Sequence, residues 1–120
     1  MIYLASPFSS PYKAIEKDRY LKATEYIVHC LKEKLDVFSP IVYCYPMHLL
    51  HKLPGDAEYW RDYNEAMMNN SIAMHVLTLD GWRDSLGVQS EIDWWLNHRP
   101  IYTIKYIEGK APWHAITKTG

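Results

Sequence analysis

The chain is poor in cysteine. Cys30 and Cys44 are its two, and their separation matches no metal-binding or redox spacing. Two reduced, packed thiols in a cytoplasmic protein is the favoured reading, with a disulfide as the minority one. No apolar run is long enough to span a bilayer. The apolar start, Met1 to Ala5, is too short for a signal-peptide core and lacks a basic leader, so it reads as a strand and no membrane partner is expected. An excess of charge of one sign is also missing. The formal net charge is -1, which argues against a nucleic-acid polymer as partner. A glycine-rich phosphate loop of the Walker or GxGxxG type is absent, so neither ATP hydrolysis nor NAD binding is expected, and no cofactor is called for. His48 and His51 lie three apart with no third ligand, which makes surface histidines a better reading than a metal site.

What is present suits a single packed domain over residues 1–120. The 120 residues are 48% hydrophobic, enough for one core and too few for two. Aromatic usage is lopsided, with ten Tyr and five Trp against two Phe. Tyr and Trp join an apolar ring to a polar atom, which suits partly wet pockets and interfaces as well as the core of a small domain.

Strand-like and helix-like stretches alternate along the chain. Ile2 to Ala5 reads as a buried strand, ended by Ser6-Pro7-Phe8-Ser9-Ser10-Pro11. Residues 12–35 carry helical spacing through Ala23, Ile27, Cys30 and Leu31. A short strand follows at 37–41. Residues 42–58 read as a long irregular loop with one helical turn near 47–52, of the kind that serves as a lid or binding loop. Residues 59–70 read as a helix with Trp60, Tyr63 and Met67 inward, and 71–79 as the third strand. Residues 85–98 read as a helix with Val88, Ile92, Trp95 and Leu96 inward, and 101–107 as the fourth strand. One more short element fits near Pro112 to Ile116, and the last residues are expected to fray. The alternation predicts a Rossmann- or flavodoxin-like three-layer α/β fold. Its four- or five-stranded parallel sheet would run in the order 2-1-3-4(-5).

In an open sheet of that order, the ligand crevice lies where strands 1 and 3 diverge. The loops there are 6–11 and 80–85, the most polar and turn-rich of the chain. Ser85 or Asp84 suits the N-cap of the following helix. The free N–H groups of its first turn would make an anion site, and Gly87 would let a ligand approach the backbone. An ordinary capped helix start explains the same residues equally well. Glu91 lies one turn beyond Gly87 on the same face, bordering the apolar stripe. A carboxylate there is costly unless paired or working. Long charged side chains often sit at such borders, so on pattern alone a surface glutamate is favoured by about two to one.

Three stretches taken together change that weighting: Ile2-Tyr3-Leu4-Ala5-Ser6-Pro7, Val37-Phe38-Ser39-Pro40 and Gly81-Trp82-x-x-Ser85-x-Gly87-x-x-x-Glu91. They resemble the nucleoside 2-deoxyribosyltransferase-like superfamily, and most closely its DUF1937 branch, with the likeness running from Ile2 to Ile104. The resemblance implies that Glu91 is a nucleophile. It would attack the anomeric carbon of a (deoxy)ribosyl group and form a glycosyl ester that water or a second base resolves, as in retaining glycosidases. It implies that Tyr3 orients Glu91 by a hydrogen bond. It also implies an aspartate before the third strand that protonates the leaving base, with Asp62 the natural candidate and Glu65 its rival.

Where transferases of the superfamily tend to carry aspartate, this chain has Ser85. That resembles the deoxynucleoside 5′-monophosphate N-hydrolases, in which Ser-x-Gly receives phosphate. Ser6, Ser9, Ser10 and Arg19 would form the facing side of such a pocket, with Asp80, Gly81, Ser85 and Gly87 opposite. Trp82, Trp60 and Phe8 offer faces on which a base could stack. The resemblance further implies a pocket built between subunits, hence a homodimer or larger assembly. The expected ligand is a small nucleoside or nucleotide, with hydrolysis ahead of base exchange by a transferase. A non-catalytic binder of a nucleotide or ADP-ribose-like ligand is the alternative from another class. An oligomeric structural protein is a third, carried by the aromatic count alone.

Overall fold

The computed structural model describes residues 1–116, so the fraying expected of the last residues lies outside the described residues. Five strands form one sheet in the order β2-β1-β3-β4-β5, with β1 at Ile2–Ala5, β2 at Val37–Phe38, β3 at Ala73–Thr78, β4 at Ile104–Glu108 and β5 at Ala115–Ile116. The first four strands are parallel, and Tyr3 pairs in register with Phe38 on one side and Met74 on the other. The helices are α1 (Lys13–Lys32), α2 (Pro40–His51), α3 (Ala57–Asn69) and α4 (Leu86–His98), with a single 3-10 turn at Trp82–Asp84 before α4. This is the Rossmann- or flavodoxin-like arrangement, with the strand order that the alternation predicts.

Side chains alternate across the central strands and give the sheet two apolar faces. Tyr3, Ala5, Met74 and Val76 pack with Met68 of α3 and with Val88, Ile92 and Trp95 of α4. Leu4, Leu77 and Leu79 pack on the other face with Ala23, Tyr26 and Cys30 of α1. The buried indole of Trp95 donates to Tyr102 O at 3.1 Å, so its polar atom is satisfied.

Four expectations need correction. The sheet is not wholly parallel, since β5 runs antiparallel to β4. Residues 109–114 between them are too few for a crossover, which takes a dozen or more, so the chain can only turn back. The stretch 42–58 is not one long loop, because α2 fills most of it. Ser39 caps that helix by accepting from Val42 N–H at 3.2 Å, Pro40 occupies its first turn, and Lys52 closes it in the left-handed region at φ 58°. Pro46 in its middle forfeits one helical hydrogen bond, and that proline made the segment look irregular. β2 stops at Phe38 for the same reason: Ser39 and Pro40 already belong to the helix start. Finally, the inward stripes are narrower than the spacing implied. Tyr26 takes the place expected for Leu31, and Leu31, Tyr63 and Leu96 are exposed.

Candidate active site

Tyr3 stands at the centre of β1 and is fully buried. Its hydroxyl donates to Oε2 of Glu91, in the second turn of α4. The pair forms because Tyr3 and Ala5 share the sheet face on which α4 lies, while the next core positions of α4, Ile92 and Trp95, anchor the helix there. Glu91 is half-buried and lines a pocket. Burial pushes its carboxyl up to about 7, and the Tyr3 hydrogen bond opposes that rise. The Tyr3 phenol is in turn raised well above its ordinary value, by burial first and then by the neighbouring Glu91 charge. A carboxylate that titrates near neutrality, held by a fixed donor, is poised for nucleophilic or acid–base work.

The pocket has a volume of about 730 Å³, within the range of small-molecule sites. Ser6, Phe8 and Ser9 line it from the loop after β1, Ser85 from the cap of α4, and Gly87 and Trp94 from α4 itself. The remaining walls come from α2, with Cys44, Tyr45 and His48, and from α3, with Trp60, Asn64 and Glu65. Burial and then the Glu91 charge push the Cys44 thiol up to about 11, so it meets the site as a neutral thiol. Two lining atoms, Ser6 Oγ and Asn64 Oδ1, are buried without a hydrogen-bond partner. Leaving such an atom unpaired costs about 1–3 kcal/mol, a penalty that a polar ligand would relieve.

At the mouth of the pocket, Ser85 caps α4 by accepting from Val88 N–H at 3.2 Å. A Cβ added at Gly87 would meet nothing nearer than Ser85 Oγ at 3.9 Å, so the glycine leaves open space over the first turn. Charge along the lining is mostly negative. Asp56, Glu58, Glu65, Asp84 and Glu91 face the one guanidinium among the described lining residues, Arg61.

A family model described as a domain of unknown function, DUF1937, matches residues 1–103. The chain belongs to the DUF1937 family. No curated protein matches it. The matched stretch ends just before β4, so every pocket-lining residue of this DUF1937 chain falls within the family region.

The DUF1937 fold brings together Tyr3, Ser6, Phe8, Ser9, Ser85, Gly87 and Glu91, and it leaves six other sequence candidates outside the pocket, among them Ser10, whose hydroxyl accepts from Tyr12 N–H at 3.1 Å. Arg19 is not free to meet a phosphate. Its guanidinium donates to Phe8 O at 3.2 Å, Ser9 O at 3.0 Å and Asp80 O at 2.9 Å, tying the two crevice loops together. Gly81 sits at φ 86°, and a Cβ there would lie 2.9 Å from the Arg19 guanidinium, so this glycine serves the tie. Asp80, Gly81 and Trp82 line a separate shallow hollow of about 260 Å³. Trp82 packs on Tyr106 at 5.5 Å, with the Arg83 guanidinium 4.7 Å over its ring. Asp62 points away, its side chain 97% exposed and 3.8 Å from Arg61 Nε. Its rival Glu65 lines the pocket instead, because residues 60, 64 and 68 set the inward face of α3 and Glu65 flanks it.

Cys44, Asn64 and Trp94 are among the lining residues that escaped the sequence reading of this DUF1937 chain. Trp94 was within reach of it, since it lies three residues after Glu91 on the same helical face. Cys44 was hidden because α2 looked like a loop. Asn64 carried no signal, since a lone asparagine in a helix is usually solvated.

Proposed function

We propose that this protein cleaves the N-glycosidic bond of a (deoxy)nucleoside or its 5′-monophosphate, with Glu91 as nucleophile. One observation carries the reading: the Tyr3 hydroxyl holds the carboxylate of Glu91 at the wall of a pocket large enough for a nucleoside. Within the proposal, the DUF1937 family is a branch of the nucleoside 2-deoxyribosyltransferase-like superfamily. The Glu91 carboxylate attacks C1′ of the sugar, and the C1′–N bond breaks with its electron pair passing to the ring nitrogen of the base. A proton reaches that nitrogen from an acid in the pocket. Glu65 is better placed for this than Asp62, which faces away. Water then attacks C1′, displaces Glu91 and leaves a free sugar hydroxyl, or a second base attacks in its place and the base is exchanged.

The acidic lining would stabilise positive charge developing on the sugar ring in the transition state. The same lining, with Arg19 held by backbone carbonyls, favours a nucleoside over its phosphate. A non-catalytic binder of the same ligand class is the second reading, and the outward Asp62 is what favours it. The reduced thiols of Cys30 and Cys44 fit a cytoplasmic protein, and no helix among the described residues is long and apolar enough to cross a membrane. α2 buries none of its residues and exposes Leu49 and Leu50, which fits a homodimer packed through this helix. Light scattering should then give twice the monomer mass.

The test is incubation of wild type and Glu91→Gln with a panel of nucleosides and monophosphates, scored for free base. Base release by wild type, lost in Glu91→Gln, supports the enzyme. Tight binding of a nucleoside with no release by either protein shifts the assignment to a binder. Addition of a second free base separates transfer from hydrolysis.

A further inference from the structure

Among the described residues, two buried side-chain polar atoms have no hydrogen-bond partner, Ser6 Oγ and Asn64 Oδ1, and both line the pocket that holds Glu91. Folded chains pair almost all such atoms, so orphans gathered at one cavity mark where a ligand supplies the missing partner. Ser6 directly follows the strand that carries Tyr3. Asn64 comes from a different wall, the inward face of α3. It lies one turn from Met68 in the core and one turn from Trp60, whose indole N–H donates to Pro54 O at 2.7 Å. Phe8, Trp60 and Trp94 line the same cavity and offer ring faces to a flat ligand.

We infer that Asn64 reads the leaving base, selecting bases that present a hydrogen-bond donor beside an acceptor. This rests on the N-glycosidase reading of the same site. The chemistry follows from the side chain. A carboxamide carries a carbonyl acceptor and an amino donor in one plane, and it pairs at two points with an edge of the same kind. The amino and ring-nitrogen edge of adenine is such an edge, and so is the N–H and carbonyl edge of a lactam base. A carboxylate such as the neighbouring Glu65, when ionised, only accepts and cannot make that two-point pair. A base that lacks the donor would leave Asn64 Oδ1 unpaired in the complex as it is in the free protein. Asn64 is therefore a specificity residue, separate from the Tyr3–Glu91 pair that acts at the sugar.

The test uses full-length Glu91→Gln, which binds without turnover, and titration calorimetry. The probes are adenosine, inosine and the unsubstituted purine nucleoside, which share sugar and ring size and differ in the base edge. The proteins are Glu91→Gln alone and combined with Asn64→Leu or, as a smaller change that keeps the helix, Asn64→Ser, each checked by its thermal unfolding. The expected result is that at least one of adenosine and inosine binds about ten- to a hundredfold more tightly than the unsubstituted nucleoside when Asn64 is present. Both substitutions should erase that preference by weakening the amide-edged nucleoside and leave the unsubstituted one within about twofold. Binding of the panel with no dependence on Asn64, or with equal weakening of all three, overturns the inference and leaves the N-glycosidase reading standing. No binding of any nucleoside, together with no base release by wild type, overturns both.

Discussion

The phenol of Tyr3 hydrogen-bonds the carboxylate of Glu91 across 88 residues of sequence, joining the central strand to the helix that follows the crevice loop. The bond works against burial. Desolvation raises the Glu91 carboxyl to about 7, and the Tyr3 donor holds it below where burial alone would put it.

The pH profile of base release follows from that balance. A nucleophile must be ionised, so the ionisation of Glu91 should give the rate profile a rising limb centred near pH 7. Tyr3→Phe removes the bond that favours the carboxylate, so the rising limb should move to higher pH. A hydrogen bond to a charged group is worth about 1.5–3 kcal/mol, which puts the loss of rate at pH 7 at about ten- to a hundredfold. Rate profiles of both proteins check this; an unmoved limb in Tyr3→Phe would show that the bond does not tune Glu91.

The same group sets a stability trend. Its folded value, about 7, lies above the ordinary 4.5, so the folded state holds the proton more tightly than the unfolded chain. That contribution is fully present below pH 4.5 and is lost as pH rises through 7. Glu91→Gln, which never ionises, should therefore be more stable than wild type at pH 8, by about 2–3 kcal/mol, with the gap closing by pH 4.5. Urea denaturation at the two pH values measures it. A gap of the same size at both would mean that the side chain, not its charge, is responsible.

His75 gives the opposite slope from the other face of the sheet. It is buried in β3, shares a 2.7 Å hydrogen bond with the Tyr26 hydroxyl, and is lowered from 6.5 to about 4 by burial and by the Lys105 charge. The folded state therefore keeps it neutral while the unfolded chain takes up a proton. Its contribution is complete above pH 6.5 and drains away down to about 4, a loss of about 2–3 kcal/mol. His75→Gln should flatten this part of the stability curve whatever its baseline stability. An unchanged slope between pH 6.5 and 4 would assign the acid sensitivity to other groups.

Gly87→Ala separates fold from binding. The new Cβ has room, 3.9 Å from Ser85 Oγ, and alanine favours a helix over glycine by about 0.5–1 kcal/mol. Stability should hold or rise, while nucleoside affinity falls about tenfold or more because the methyl occupies the approach to the first turn of α4. Calorimetry beside a melting curve tests both halves. Undiminished affinity would place the ligand away from this helix start.

Sequence alone determined the four parallel strands and the helices α1, α3 and α4, because these signals are local. Periods of two and of three to four alternate along the chain, and right-handed connection of parallel strands leaves few topologies, the order 2-1-3-4 among them. It also determined the crevice loops and narrowed the cap of α4 to Ser85 or Asp84, since turn residues and caps act within a few positions of themselves; the structure gives the cap to Ser85. Tertiary structure decided the rest, for reasons of distance and direction. Whether Glu91 was a surface carboxylate or a paired one depended on Tyr3, far away in the chain. Whether Asp62 or Glu65 faces the pocket was a matter of helix rotation, fixed by Met68 in the core, and it went to Glu65. Arg19 looked like a ligand for anions until the fold gave it three backbone carbonyls. Asn64 became visible only when packing closed around it and left its carbonyl oxygen without a partner. A polar side chain states its chemistry in the sequence; what it must bind is set by which neighbours the fold withholds.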